Sequence, residues 1–377
     1  MLIIINIIIL IHSTKKKLQK LFKKFSYGLF KLIYGSINEY QDINKTPDSK
    51  VIISEINKDF RYKIYIVKKA RLYTDTINDT AIIHDQKIIN EPSFQIRNTD
   101  FSTVEKNIVF EKGTPRFQKK LNGKVLSLLS GGAGNYNYWH WLFDILPRIK
   151  IVANKLNLNE IDYFLLPDNT RKFQKETLSL LNIPENKQLS SQKYRHIKVD
   201  EIISSDHPYV LNNDATSAIT HIPQWIIDWL KSEFTKDLNL SDINFPKKIY
   251  IDRGDASPNI SKLRLIVNEQ DVKDKLSEHN YKVIRLSDYS IIDQIKLFYN
   301  AKKMVGLHGA GFANVMFANP ELRVLELKPS GAGKIFENLT KKCKLNYDCI
   351  SVTPEKYNLN NQMGHIRIDL NLLEKKL

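Results

Sequence analysis

Hydrophobic and polar positions follow one another along this chain in rhythms that change from region to region. From 51 to about 130, short apolar runs (VIISEI, YKIYIV, AIIH and KVLSLLS) are separated by polar turns, which predicts strands. Helical and extended patterns then alternate: an aromatic-rich helix from about 136, a strand at DYFLLP, a helix over 171–182, a strand at KVDEIIS and a helix over 222–237. A polar link ending at Pro246 marks a domain boundary. After it come five apolar runs, KKIYIDR, YKVIRL, KMVGLH, RVLELKP and DCISVTP. Between them lie helical stretches such as NEQDVKDKLSEH, SIIDQIKLFYNAK and KIFENLTKKC. That alternation predicts an α/β fold with a parallel sheet covered on both faces. The expected layout is an N-terminal segment and linker over 1–50, a first domain over 51–240 and a second over 241–377.

The N-terminus has its own pattern. LIIINIIILI, residues 2–11, is an apolar run about half as long as a bilayer span requires. No positive charge precedes it and no small-residue cleavage site follows, so a signal peptide reads poorly. In KKKLQKLFKKF, Leu18, Leu21, Phe22 and Phe25 recur at helical spacing, with Lys16, Lys17, Lys20, Lys23 and Lys24 between them. A basic amphipathic helix of this kind suits an anionic leaflet, which implies peripheral membrane association on the cytoplasmic side. A solvated helix packed on the protein's own body is the alternative.

Composition sharpens this only in part. At 42% hydrophobic and 26% charged, the chain has ordinary globular values. Its formal charge of +16 is unusual, and seven lysines without an acid lie within residues 1–31. Anionic partners follow, such as lipid headgroups or a phosphorylated substrate. Nucleic acid does not, because the remaining charge is scattered and no zinc-finger, helix-turn-helix or RNA-binding signature occurs. Cys343 and Cys349 are the only cysteines, and they read as small buried hydrophobes in a reducing compartment.

Two segments carry candidate chemistry. Residues 303–329, KMVGLHGAGFANVMFANPELRVLELKP, run from an apolar strand through a Gly-rich turn and a helix-like stretch to a second apolar strand. Gly306, Gly309 and Gly311 fall where strand passes to helix. There His308, Gly309, Ala310, Gly311 and Asn314 form a candidate nucleotide or phosphate cradle. The other segment follows Gly131-Gly132-Ala133-Gly134 and reads NYNYWHWLFDILPRI. Asn137, His140 and Asp144 lie at i, i+3 and i+7 on a helix that is otherwise apolar, so this polar stripe must pair internally or line a cleft. Pro147 kinks or ends the helix before Arg148. His140 and Asp144, at i, i+4, suit a base and its orienting partner.

Together these segments resemble glycosyltransferase family 61, which includes bacterial capsular polysaccharide transferases and eukaryotic xylosyl- and N-acetylglucosaminyltransferases. The likeness covers roughly residues 120–330. Asn137, His140, Trp141, Asp144, Pro147 and Arg148 resemble the first motif of the family, and Arg253, Arg264, Asn268 and Glu269 the second. Gln294, Phe298, Gly306, His308 to Gly311, Asn314, Phe317 and Glu326 resemble the third. The resemblance implies a GT-B architecture of two Rossmann-like domains facing across a cleft. It also implies inverting, metal-independent transfer of a sugar from a nucleotide-sugar to a glycan, in surface polysaccharide or lipopolysaccharide synthesis. No cofactor is expected, since the nucleotide-sugar is a substrate, and no Asp-x-Asp motif is present to hold a cation. The basic N-terminus would suit a lipid-linked acceptor.

On this view the Gly309–Gly311 backbone, Arg253 and His308 offset the departing diphosphate, and Glu326 accepts from a ribose or sugar hydroxyl. Asp144, preferred over His140, is the base and comes from the opposite domain. Other classes fit less well. A hydrolase would need a Gly-x-Ser-x-Gly elbow, which is missing. A dinucleotide oxidoreductase would carry a third turn glycine at the first strand of its sheet. A non-catalytic, nucleotide-binding membrane scaffold would not need Asn137, His140 and Asp144 together.

Overall fold

A computed structural model describes residues 2–97, 100–131, 137–211, 214–240, 244–254, 264–355 and 364–377. The chain forms two compact units. The first comprises Met1–Ala133, Arg148–Asp168 and Lys187–His207; the second comprises Gly134–Pro147, Asn169–Asn186 and Pro208–Leu377. This differs from the single crossing near residue 240 that the sequence suggested. The reason is aromatic packing. Tyr138 and Trp141 meet Phe173, and Trp139 meets Phe336, which draws two stretches from the first half of the chain into the second unit.

The first unit opens with a continuous helix, Leu2–Tyr34. Its last turns are fixed by Phe30, which is buried against Phe117, and by Tyr34, whose hydroxyl accepts from the Gln118 amide at 2.9 Å. Leu18, Leu21, Phe22, Phe25 and Leu32, by contrast, are exposed. Among the described residues no helix is long and apolar enough to cross a membrane.

The strands that follow are β1 (Glu39–Gln41), β2 (Ser49–Glu55), β3 (Arg61–Lys68), β4 (Arg71–Thr74), β5 (Thr80–His84), β6 (Lys87–Ile89), β7 (Gln95–Arg97), β8 (Asp100–Ser102), β9 (Lys119–Lys120), β10 (Lys124–Ser127), β11 (Tyr163–Leu166), β12 (Gln188–Ser190), β13 (His196–Lys198) and β14 (Glu201–Ser205). They make two six-stranded sheets, ordered β1-β6-β5-β4-β13-β9 and β12-β11-β10-β14-β3-β2, with β7 and β8 as a separate pair. Leu72, Ile82 and Ile197 of one sheet share a core with Val67, Val125, Leu165 and Ile202 of the other. The unit is therefore a stack of two sheets. The resemblance implied a Rossmann-like domain here; β12, β11, β10 and β14 pair in parallel, while β3 and β2 join antiparallel, where adjacent strands need no crossover helix.

The second unit matches its sequence closely. β15 (Lys248–Asp252), β16 (Lys282–Arg285), β17 (Lys303–Leu307), β18 (Arg323–Pro329) and β19 (Asn346–Val352) form one parallel sheet in the order β16-β15-β17-β18-β19. The helices Glu269–Glu278, Ile291–Asn300 and Ile335–Lys342 lie where the apolar spacing put them. After β15 the chain goes to one side for β16, then returns to the other side for β17. Strand order thus reverses between β15 and β17. In open parallel sheets, ligands bind at the carboxyl ends of the strands at such a switch point.

Candidate functional site

Arg253 directly follows β15, and His308 directly follows β17, so the switch point carries both. The carbonyl of His308 accepts from Arg253 Nη1 at 3.0 Å and from Arg264 Nη1 at 2.5 Å. Burial, aided by repulsion from Arg253 and partly offset by Glu326, brings the Arg264 guanidinium down to about 10. The turn glycines are needed for close approach: Gly309 is extended, with φ 177°. A Cβ there would sit 3.1 Å from Arg253 Nε, and one at Gly311 would sit 2.8 Å from Leu286 Cδ1. Ala310–Phe317 is a 3-10 helix, and Phe312, Asn314 and Phe317 are fully buried in it.

His308 is itself buried, and its Nδ1–H donates to Glu326 Oε1. Glu326 has no exposed surface, and its Oε2 accepts from the hydroxyl of Tyr347 on β19. A buried carboxylate without partners would cost several kcal/mol, so these donors stabilise it. Through the first of these bonds Glu326 orients His308. Burial lowers the pKa of His308. The carboxylate opposes that effect, while Arg264 and Lys328 add to it. Burial and these cations thus disfavour a positive charge on the ring.

The segment 137–147 reaches the same unit. Asn137 caps it, its Oδ1 accepting from the Trp139 amide at 2.9 Å. The helix is regular only over Tyr138–His140. Trp141–Ile145 forms a π turn, closed by the Leu146 amide on the Trp141 carbonyl at 3.2 Å. The sequence predicted a helix that Pro147 kinks or ends. Pro147 has no N–H for the Phe143 carbonyl, and the wider turn accommodates that loss before a fresh helix begins at Pro147.

The π turn sets His140 and Asp144 on one face. His140 Nδ1 donates to Asp144 Oδ2 at 2.7 Å, and Asp144 Oδ1 accepts from Tyr209 at 2.5 Å. Asp144 is buried, whereas the His140 side chain is 32% exposed. Burial opposes charge on His140, but the charge and hydrogen bond of Asp144 outweigh it and leave the pKa above the ordinary imidazole value.

The two segments are tied together. Tyr138 donates to Asn314 Oδ1 at 2.7 Å, and Asn314 Nδ2 donates to Gln294 at 3.0 Å. The ring of Phe336 lies 5.5 Å from Trp139 and 4.6 Å from His308. Asn314, predicted as part of the cradle, is buried and joins Tyr138 to Gln294. Other expected ligands also serve the fold. Asn268 exchanges two 3.0 Å bonds with the backbone of Ile368, and Glu269 accepts from Tyr250 at 3.0 Å. Arg148 is fully buried in the first unit and donates to the Ser130 carbonyl at 2.6 Å. Gly132, Ala133 and Gly134 lie outside the described residues.

Tyr209 and Tyr347 were not found from the sequence. Tyr347 does have a signal in hindsight: it lies opposite Val324, two residues from Glu326 on the neighbouring strand.

The Glycosyltransferase 61 family model matches residues 138–325, about half of the chain. No curated protein matches it. The matched span begins at Tyr138, takes in His140, Asp144, Tyr209, Arg253, Arg264 and His308, and ends just before Glu326. The chain belongs to glycosyltransferase family 61, which implies a sugar donor and a glycan acceptor.

Proposed function

We propose that the chain moves a sugar from a nucleotide-sugar to a glycan hydroxyl with inversion and without a metal, and that His140 is the base. One observation supports this above the others. The His140–Asp144–Tyr209 relay belongs to the same compact unit as Arg253, Arg264 and His308 at the switch point. Nδ1 of His140 is committed to Asp144, so Nε2 is the atom able to take a proton.

As the acceptor oxygen attacks the anomeric carbon, its proton passes to Nε2. The bond between that carbon and the diphosphate oxygen breaks on the opposite face, and its electron pair leaves with the diphosphate. Asp144 stabilises the imidazolium that forms, and Tyr209 holds Asp144 in place. Arg253 and Arg264 offset the charge of the leaving group. The carboxylate of Asp144 already serves two donors, which favours His140 over Asp144 as the base.

In the same reading the Leu2–Tyr34 helix lies on an anionic cytoplasmic leaflet. Its exposed leucines and phenylalanines enter the interface, its lysines meet headgroups, and the acceptor is lipid-linked. A GT-B-type architecture belongs to this proposal too. What supports it is that each unit has its own sheet with parallel strands.

Thermal-shift measurements against a panel of UDP-, GDP-, CMP- and dTDP-sugars test the reading. Binding to the native state raises the midpoint, by an amount set by ligand concentration over Kd. One or more donors should do so, followed by slow release of free nucleotide without acceptor. A panel in which no donor shifts the midpoint or is turned over would overturn the proposal.

A further inference from the structure

Beyond the residues of the family match, the end of β18 holds an ion that the fold does not explain. Lys328 is the penultimate residue of that strand. In the β17/β18 register Leu307 faces Leu327, which brings Lys328 level with His308. Its side chain is only 8% exposed. Among the described residues its ammonium has one long contact, 3.4 Å to the Gly333 carbonyl, and stands 3.9 Å from Glu326 Oε2. Good N–H···O bonds are near 2.9 Å, so neither contact replaces the lost water well. Glu326 already accepts from His308 and Tyr347. A lysine buried in this way costs free energy unless something else meets it.

The surroundings indicate what that is. Arg253 and Arg264 gather on the His308 carbonyl, and His308 feels positive charge from both Arg264 and Lys328. Among the described residues, Glu326 is the carboxylate that acts on both His308 and Arg264. The location is the carboxyl edge of the parallel sheet, beside the switch point.

We infer that Lys328 is the third cation of a diphosphate subsite, acting with Arg253 and Arg264 on the doubly charged leaving group of the donor. The inference rests on the donor reading above and deepens it, since that reading used only the two arginines. A flexible ammonium suits this place: it can turn from Glu326 to a phosphate oxygen without disturbing the guanidinium forks. With the subsite empty, Lys328 gains little from the protein. Filled, it makes a charge-assisted bond.

The test is calorimetric titration of inorganic pyrophosphate, UDP and GDP into the full chain and into Lys328→Met and Lys328→Arg, with thermal midpoints of the free proteins. Wild type should bind pyrophosphate and at least one nucleotide. Lys328→Met should bind both about 10-fold to 100-fold more weakly, as expected for one lost bond to a charged group. Lys328→Arg should keep part of the affinity, and the free Met variant should be no less stable than wild type. Equal affinity in wild type and Lys328→Met would overturn the inference while leaving the donor reading intact. So would a Met variant that loses stability but keeps its affinity, because that lysine would be structural. Failure of wild type to bind any of the three would overturn both.

Discussion

His140 and His308 each donate from Nδ1 to a carboxylate whose other oxygen accepts from a tyrosine: Asp144 with Tyr209 in one case, Glu326 with Tyr347 in the other. The bonding is the same, yet the two rings differ in charge preference. Burial works against charge on His140, but the charge and hydrogen bond of Asp144 outweigh it, so its pKa is raised. His308 is almost wholly buried, with Arg264 and Lys328 in its field, so its pKa is lowered. A histidine–carboxylate–tyrosine chain is therefore not by itself a base. Burial opposes the charge on both rings, and the neighbouring cations that act on His308 set the two apart.

The largest effect is expected for His140→Gln, which should lower kcat by about 100-fold to 10,000-fold in steady-state assays and leave the donor KM nearly unchanged. His308→Gln should instead act mainly on donor KM. A similar kcat loss in both variants would erase the distinction. Asp144→Asn should lower kcat by about 100-fold, since the imidazolium then lacks its counter-charge. Next comes Arg264→Ala, which should weaken nucleoside diphosphate binding by about 10-fold to 100-fold in calorimetry, without a comparable loss of thermal stability. Tyr209→Phe removes one hydrogen bond and should cost about tenfold or less in kcat.

The smallest effect concerns stability against pH. The raised pKa of His140 means its contribution is full below the unfolded value near 6.5 and is lost as pH rises through the folded value. For His308 the folded pKa is lowered, so stability is full above about 6.5 and falls as pH drops towards the folded value. Thermal midpoints of His140→Gln should therefore decline less than wild type on the alkaline side, and those of His308→Gln less on the acid side, by about a few degrees.

The sheet of the second unit was legible because each strand is a short apolar run between helix-spaced stretches, a pattern that local sequence fixes. The pairing of His140 with Asp144 was legible for the same reason, being four residues long. The π turn was not, because it depends on how Pro147 resolves a missing N–H. Nor were the tyrosines. Tyr209 meets Asp144 across 65 residues, and Tyr347 meets Glu326 across a strand pair. The bonds of Asn268 were hidden as well, because its partner lies 100 residues away. The unit to which 134–147 belongs was equally hidden, since aromatic side chains carry no sign of the surface they will meet.

His140 accepts the acceptor's proton in this mechanism while Asp144 holds its pKa up. The pH profile of kcat/KM, measured for wild type and Asp144→Asn, tests it most directly. Wild type should show an acid limb with an apparent pKa above 6.5. In the slower Asp144→Asn enzyme that limb should persist and move to lower pH, because the imidazole has lost the charge that favoured its protonation. A limb that vanishes with Asp144, or that stays where it was, would contradict the account.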